Sequence, residues 1–294
     1  MSKWSLTRVS NAVFDVHIPF KRNTKFEFWV LYSSDRHHDN PDTDQALEYH
    51  HLKQCQSRGG ICIDGGDFFC AMQGKYDKRK SKDKVRDEHN NNNYLDSLVD
   101  TAAKDFAPYT DVLKIIGRGN HETAITKNHE TDLTERLCEK LTQTTGNEVH
   151  AAGYHGWVRF NFRDTAGSGS GTARSTKMLH FQHGYGGGGP VTRGVIQTNR
   201  RATYLPGADI VASGHIHERW WLEIPRVRVT QAGTIRHDTQ LHFSTTSYKD
   251  EFQEGQGGFQ IERGSPPKPL GAMWLRFTWN HRLNDVDIDV LRAR

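Results

Sequence analysis

Residues 26–39 read FEFWVLYSSDRHHD. An aromatic and β-branched run fills 26–32, and two serines lead from it into Asp35, Arg36, His37, His38 and Asp39. A short apolar run bounded by polar residues predicts a buried β-strand. The strand stops, and a carboxylate and two imidazoles follow at once.

The same event recurs four times downstream. Ile61-Cys62-Ile63 ends at Asp64-Gly65-Gly66-Asp67, and residues 112–116 (VLKII) end at Gly117-Arg118-Gly119-Asn120-His121-Glu122. Residues 178–182 (MLHFQ) end at His183-Gly184, and residues 209–213 (DIVAS) end at Gly214-His215-Ile216-His217. In α/β sheets the ligand site lies beyond the carboxyl ends of the strands. Five strand ends spread over about 180 residues can therefore converge on one site.

Between these strands the pattern predicts helices over 41–55, over 93–106 with Leu95, Leu98, Val99 and Ala102 on one face, and over 131–141 with Leu133, Leu137 and Leu141 spaced four apart. Further strands are predicted at 227–230, 241–244, 273–278 and 286–291, continuing the same sandwich. Residues 72–93 (MQGKYDKRKSKDKVRDEHNNNN) form a polar, basic-leaning insertion, either a solvated loop or a substrate-contacting segment. The AGSGSGT stretch at 166–172 is a flexible connection, and 186–189 is a loop with little side-chain cover. There is no internal repeat.

A chain of 294 residues accommodates one large domain or two small ones and buries a sizeable core without disulfides. Mean hydropathy is −0.76, and no apolar run approaches the ~18 residues of a membrane span, which excludes an integral membrane protein. The N-terminus lacks the apolar core of a signal peptide. Four cysteines with no CxxC pair predict reduced thiols in a cytoplasmic protein. The net charge of +4 is compatible with a polyanionic substrate without requiring one. Seventeen histidines ask for a chemical reason, metal ligation first.

Taken in order, D-x-H, G-D, G-N-H-E, H-G and G-H-x-H resemble the signature of the calcineurin-like metallophosphoesterase superfamily, over roughly residues 26–220. The resemblance implies an α/β fold, a four-layer α/β/β/α sandwich, as one domain over 1–294 with the 221–294 strands completing it. It implies two divalent metal ions, with Asp35, His37 and His217 on the first, Asn120, His183 and His215 on the second, and Asp67 bridging both. It assigns His121 to catalysis rather than ligation, stabilising charge on the phosphoryl group or protonating the leaving oxygen. The nucleophile it implies is a metal-bridging hydroxide, with no covalent phospho-enzyme. Two ions ~3.5–4 Å apart clamp a phosphate and polarise water, and a carboxylate between them lowers their repulsion. Mixed oxygen and nitrogen donors favour manganese, iron or zinc over magnesium or calcium. Mn²⁺ is the expected ion, with Zn²⁺, Fe²⁺ and Ni²⁺ as alternatives.

The chain departs from the family's pattern in informative places. His38 and Asp39 offer a competing register for the first motif, and the family's spacing selects His37. Many members carry GDxxD, whose last Asp orients the GNH histidine; here that position is Cys70, so another group such as Asp64 or Asp39 has to hold His121. The motifs of the protein Ser/Thr phosphatase branch are missing, and GDFF is closer to the GDLFH of double-strand-break repair nucleases. Arg118 is placed to grip a phosphate oxygen bidentately or to serve as a surface turn residue. Tyr185 lies in a glycine-rich stretch, 184–189, whose backbone can approach a substrate. Trp220 and Trp221 either stack a base or pack. His180, three residues before His183, faces the other side of its strand, and His50, His51, His150 and His155 fit no motif.

The expected function is hydrolysis of a phosphodiester, nucleic acid or nucleotide, with no membrane partner and the oligomeric state left open. One rival is a small-molecule phosphomonoesterase or cyclic-nucleotide phosphodiesterase. Another, of a different class, is a binding module that kept the fold and lost turnover.

Overall fold

The computed structural model describes residues 4–22, 24–73, 84–166, 173–186, 195–229, 233–252, 261, 264 and 266–294. Of the segments singled out above, 74–83, 167–172, 187–189 and residue 230 lie outside these.

The five anticipated strands form as β3 (Glu27–Ser33), β4 (Ile61–Asp64), β5 (Leu113–Ile116), β8 (Arg174–Gln182) and β9 (Ile210–Ser213). They divide between two mixed sheets. β3, β4 and β5 run parallel with the short β6 (His150–Ala151), and β12 (Met273–Asn280) and β13 (Asp285–Arg292) extend that sheet antiparallel beside β3. Its order is β13-β12-β3-β4-β5-β6. The second sheet adds β1 (Ser5–Ser10), β2 (Val13–Phe20), β7 (His155–Asp164), β10 (Trp220–Val229) and β11 (Ile235–Ser244), in the order β1-β2-β7-β8-β9-β11-β10. Sequence reasoning missed β1, β2 and β7. The last two carry a period-two apolar pattern: Phe14, Val16, Ile18 and Phe20 on one, Val158, Phe160 and Phe162 on the other, all buried.

Alternation of side chains across a strand explains how the layers meet. Val30 and Tyr32 of β3 point into a shared core with Ile61, Ile63 and Ile115, opposite Val158, Phe160, Leu179, Phe181 and Ile210 of the other sheet. Leu31 points the other way, with Cys62, Leu113 and Ile116, into a core built with the helices. Those helices are α1 (Gln45–Ser57), α2 (Tyr94–Phe106) and α4 (Leu133–Thr145). α1 starts later than expected because Asp44 caps it, accepting from the backbone N–H of Leu47. Asp132 caps α4 in the same way. After α5 (Val195–Tyr204) comes a small buried group, Leu205, Ala208 and Val211, packed with Trp157 of β7. The architecture is thus α/β, with two mixed sheets sharing one core and helices packed against the other face of the first. Among the described residues no helix is long and apolar enough to cross a membrane.

Candidate metal centre

All five strand-end segments meet at one edge of the inter-sheet core. The 35–38 segment is stitched to the 66–68 segment by backbone bonds: Asp35 N–H to Gly66 O at 2.8 Å, His37 N–H to Asp67 O at 3.0 Å, His38 N–H to Phe68 O at 2.9 Å. The second sheet joins through Asp35, whose Oδ2 accepts from the backbone N–H of His215 at 2.8 Å. Gly119 and Gly214 make the close approach possible. A Cβ on Gly119 would lie 2.1 Å from Asp67 Oδ1, and one on Gly214 would lie 2.4 Å from Asp35 Oδ2.

Two groups of potential ligand atoms result. Asp35, His37 and His217 offer atoms within 4.8 Å of one another, and so do Asp67, His183 and His215. His217 Nε2 lies 3.3 Å from Asp35 Oδ1, and His183 Nε2 lies 3.1 Å from Asp67 Oδ2 and 3.3 Å from Asn120 Oδ1. Every residue expected as a ligand is therefore at this edge, and each group draws on both sheets.

Backbone conformation marks the same residues. Asp35, His37, Asp67, His215 and His217 have φ of 54°, 49°, 51°, 70° and 53°. These are left-handed conformations that cost non-glycine residues of order 1–3 kcal/mol each and persist only where the surrounding fold imposes them. Of the eight described non-glycine residues with positive φ, five are candidate ligands. Backbone strain of this kind clusters at functional sites, and here it falls on five of the residues expected as ligands.

The donor set fits cations. Among the described residues, Asp35 Oδ1 and His37 Nδ1 are buried with no partner in hydrogen-bond geometry, although His217 Nε2 lies 3.3 Å from the former, an arrangement that is costly unless another electrophile occupies it. His183 Nδ1 donates to the carbonyl of Gly65 at 3.1 Å, which orients the ring with Nε2 facing Asp67 and Asn120. Burial disfavours charge on Asp67, yet His183, His121 and His37 outweigh it and hold the carboxyl well below the usual range. Burial likewise opposes protonation of His183, but Asp67 and Asp35 lift it to about 10. Two buried carboxylates here demand positive charge from whatever lies beside them.

His121 is the second residue of α3 (Asn120–His129), a helix that the sequence reading did not anticipate. Its backbone N–H donates to Asp67 Oδ1 at 2.9 Å, so the carboxylate also caps the helix. Its ring Nδ1 donates to the carbonyl of Cys70 at 2.7 Å. Neither Asp64 nor Asp39 accepts from the His121 ring in these bonds, contrary to expectation. Asp39 acts one step back: its two oxygens accept from the N–H groups of Cys70, at 2.5 Å, and Ala71, at 2.8 Å, fixing the peptide that holds His121.

Asp64 belongs to a buried cluster that anchors the strand ends. Arg36, fully buried between two candidate ligands in sequence, donates to Asp64 Oδ2 at 2.7 Å, to Glu48 Oε1 at 3.2 Å and to Ser33 Oγ at 2.9 Å. Its guanidinium also lies over the rings of Phe106 and Tyr248. Glu122 anchors the other side, accepting from the N–H groups of Gly119, Asp67 and Phe69 at 2.8, 3.1 and 2.8 Å. Burial pushes its carboxyl up to about 8, with Asp67 adding to the rise. Sequence reasoning gave Arg36, Glu48 and Glu122 no role, although Glu122 three positions after a glycine is a helix-start signal.

The competing register of the first motif is decided by His38. Its Nδ1 lies 2.8 Å from Glu48 Oε2 and its Nε2 3.1 Å from Asp105 Oδ2, so both nitrogens are engaged away from the ligand groups. Burial lowers its pKa, but the two carboxylates outweigh burial and raise it above the ordinary value. A raised folded pKa means stability that is complete below an unfolded value of about 6.5 and lost as pH rises through the folded one. The loss of unfolding midpoint in His38→Gln is therefore expected to be largest near about pH 6 and to shrink in alkaline buffer. A loss independent of pH would show that His38 is held neutral.

The substrate-side candidates are placed differently. The Arg118 guanidinium pairs with Asp132 and with Glu135, the latter at 3.7 Å, at the start of α4, a use other than the expected phosphate grip. Tyr185 is 45% exposed with Arg201 5.9 Å from its ring centre. Trp221 is exposed with Arg292 near its face. His180 packs on Trp157 and His155, outside the ligand groups.

No protein-family model matches the chain, and no curated protein matches it. Among solved structures, wild-type Vps29 from Entamoeba histolytica complexed with zinc aligns with 90% of this chain and 98% of its own, at 9% identity and a TM-score of 0.28. Vps29 from Chaetomium thermophilum aligns with 90% of this chain and 95% of its own, at 12% identity and a TM-score of 0.32. Likeness at this level carries no argument about the present chain.

Proposed function

We propose that the chain is a dimetal-dependent phosphoesterase with a calcineurin-like metallophosphoesterase fold, a single domain whose outer helical layer on the second sheet is thin, and that it hydrolyses a phosphodiester. The observation that carries this reading is the convergence of two ligand groups on strained strand ends, with Asp67 in one group and in contact distance of the residues beside it. Asp35, His37 and His217 would hold one ion, Asn120, His183 and His215 the other, and Asp67 would reach both. Bound there, two divalent ions supply a clamp on phosphoryl oxygens and activation of water. The oxygen and nitrogen donors suit Mn²⁺, with Zn²⁺, Fe²⁺ or Ni²⁺ as alternatives.

The protein's own contribution is proton delivery and rigidity. His121 has Nδ1 committed to the Cys70 carbonyl, so Nε2, 3.8 Å from Asp67 Oδ2, is the atom that can give a proton to a leaving oxygen. The helix start, Asp39 and Glu122 keep that ring from turning. The basic net charge is compatible with a polyanionic substrate such as nucleic acid. Tyr185 is the exposed group we assign to the substrate side. A cytoplasmic setting suits the four buried cysteines, none of which is in a disulfide.

The test is hydrolysis of bis-p-nitrophenyl phosphate and p-nitrophenyl phosphate with Mn²⁺. Preferential turnover of the diester is expected, and His121→Ala is expected to lower kcat ~10²–10⁴-fold while leaving bound metal unchanged. Preference for the monoester would replace the diester reading. Metal binding without turnover of either would favour a binding module.

A further inference from the structure

His37, Cys70 and His121 form a third group in which each side chain offers a ligand atom within 4.8 Å of the others. It differs from the other two in kind, because it contains sulfur and no carboxylate. Cys70 is 1% exposed, and its sulfur accepts from Asn40 Nδ2 at 3.3 Å. The ring centres of His37 and His121 are 4.9 Å apart, with the rings edge to face. Asp39 clamps the peptide on both sides of the Cys70 α-carbon, and Ala71 beyond it has a φ of 50°. The sulfur is therefore held in place by the same contacts that hold the His121 ring.

We infer that Cys70, His37 and His121 form an inhibitory site for a thiophilic divalent cation, zinc above all. One thiolate and two imidazoles, with water in a fourth position, is a zinc donor set, whereas manganese and magnesium prefer oxygen. A hydrogen bond from an amide to the sulfur is the kind of outer contact that orients a metal-bound thiolate. When the ion binds, a sulfur–metal bond forms and the thiol proton leaves to solvent, with no change of oxidation state. The ion then occupies the His121 ring and competes for His37, so one binding event removes the proton donor and weakens the first ligand group. Manganese would load the hydrolytic centre and zinc in excess would close it.

The inhibition rests on the proposed hydrolase activity, but occupancy of the site does not, and the experiment separates them. The full chain, reduced and preloaded with Mn²⁺, is titrated with Co²⁺ and followed by absorption. A near-ultraviolet thiolate-to-cobalt charge-transfer band is expected in the wild type, lost in Cys70→Ser and retained in Cys138→Ser, which lies in the helical core. Zinc is expected to bleach the band and suppress diester hydrolysis over the same concentration range. No band in the wild type, or a band that survives in Cys70→Ser, overturns the site, and the wild-type result stands even if that variant folds poorly. A band in a protein that hydrolyses no phosphoester would support the site and remove the hydrolase reading. Hydrolysis without a band would do the reverse.

Discussion

Asp67→Asn is expected to abolish metal-dependent hydrolysis and to lower the number of bound divalent ions. The substitution is nearly isosteric, and the amide oxygen can still accept from the backbone N–H of His121, so the start of α3 need not move. What is lost is one negative charge. Two dications ~4 Å apart repel by roughly 16 kcal/mol at an effective dielectric of ~20, and a carboxylate shared between them is the most direct offset. The fall in turnover should exceed the ~10²–10³-fold that follows loss of a single stabilising donor in other hydrolases. Metal content by mass spectrometry, measured beside kcat, distinguishes this from a folding defect. An Asp67→Asn protein that kept turnover within about tenfold would remove Asp67 from the bridging role.

The second large effect is on stability. Arg36→Met is expected to cost about 3–5 kcal/mol, because it leaves the buried carboxylates of Asp64 and Glu48 without their shared cation. Methionine fills much of the volume, so the loss is electrostatic rather than a cavity. Arg36→Lys should recover little, since one ammonium cannot reproduce three bonds made in different directions by Nε, Nη1 and Nη2. The expected drop in thermal midpoint is on the order of 10 °C. A drop of only a degree or two would mean that the carboxylates are neutral in the folded protein. Because Asp35 and His37 flank Arg36, the folded fraction of the variant should also bind metal more weakly.

The five strand ends were legible because each couples two independent signals, a short apolar run and an abrupt change to metal-binding side chains. The positions of α2 and α4 followed from their apolar faces and α1 began later than read because Asp44 caps it, whereas α3 and α5 were not anticipated. The first strands of the second sheet were missed although Phe14, Val16, Ile18 and Phe20 alternate plainly; the polar residues between them masked a strand buried on one face only. The support of His121 was illegible for a different reason. The missing carboxylate at position 70 directed attention to other side chains, while the bond is made by the backbone carbonyl of Cys70 itself, which every residue possesses. Sequence also could not show that Arg118 is committed to Asp132 and Glu135, since helix α4 comes alongside only in the folded chain.

The two carboxylate-containing ligand groups each take members from both sheets: Asp35 and His37 with His217, and Asp67 with His183 and His215. The site is consequently a clasp across the sandwich. Neither sheet owns a complete set for the proposed hydrolytic centre, so a chain whose sheets have parted keeps those ligands yet can assemble neither group. An ion gripped there would fasten the two layers together at their edge, and loosening of the aromatic filling between them would be felt first as a slackened grip on that ion.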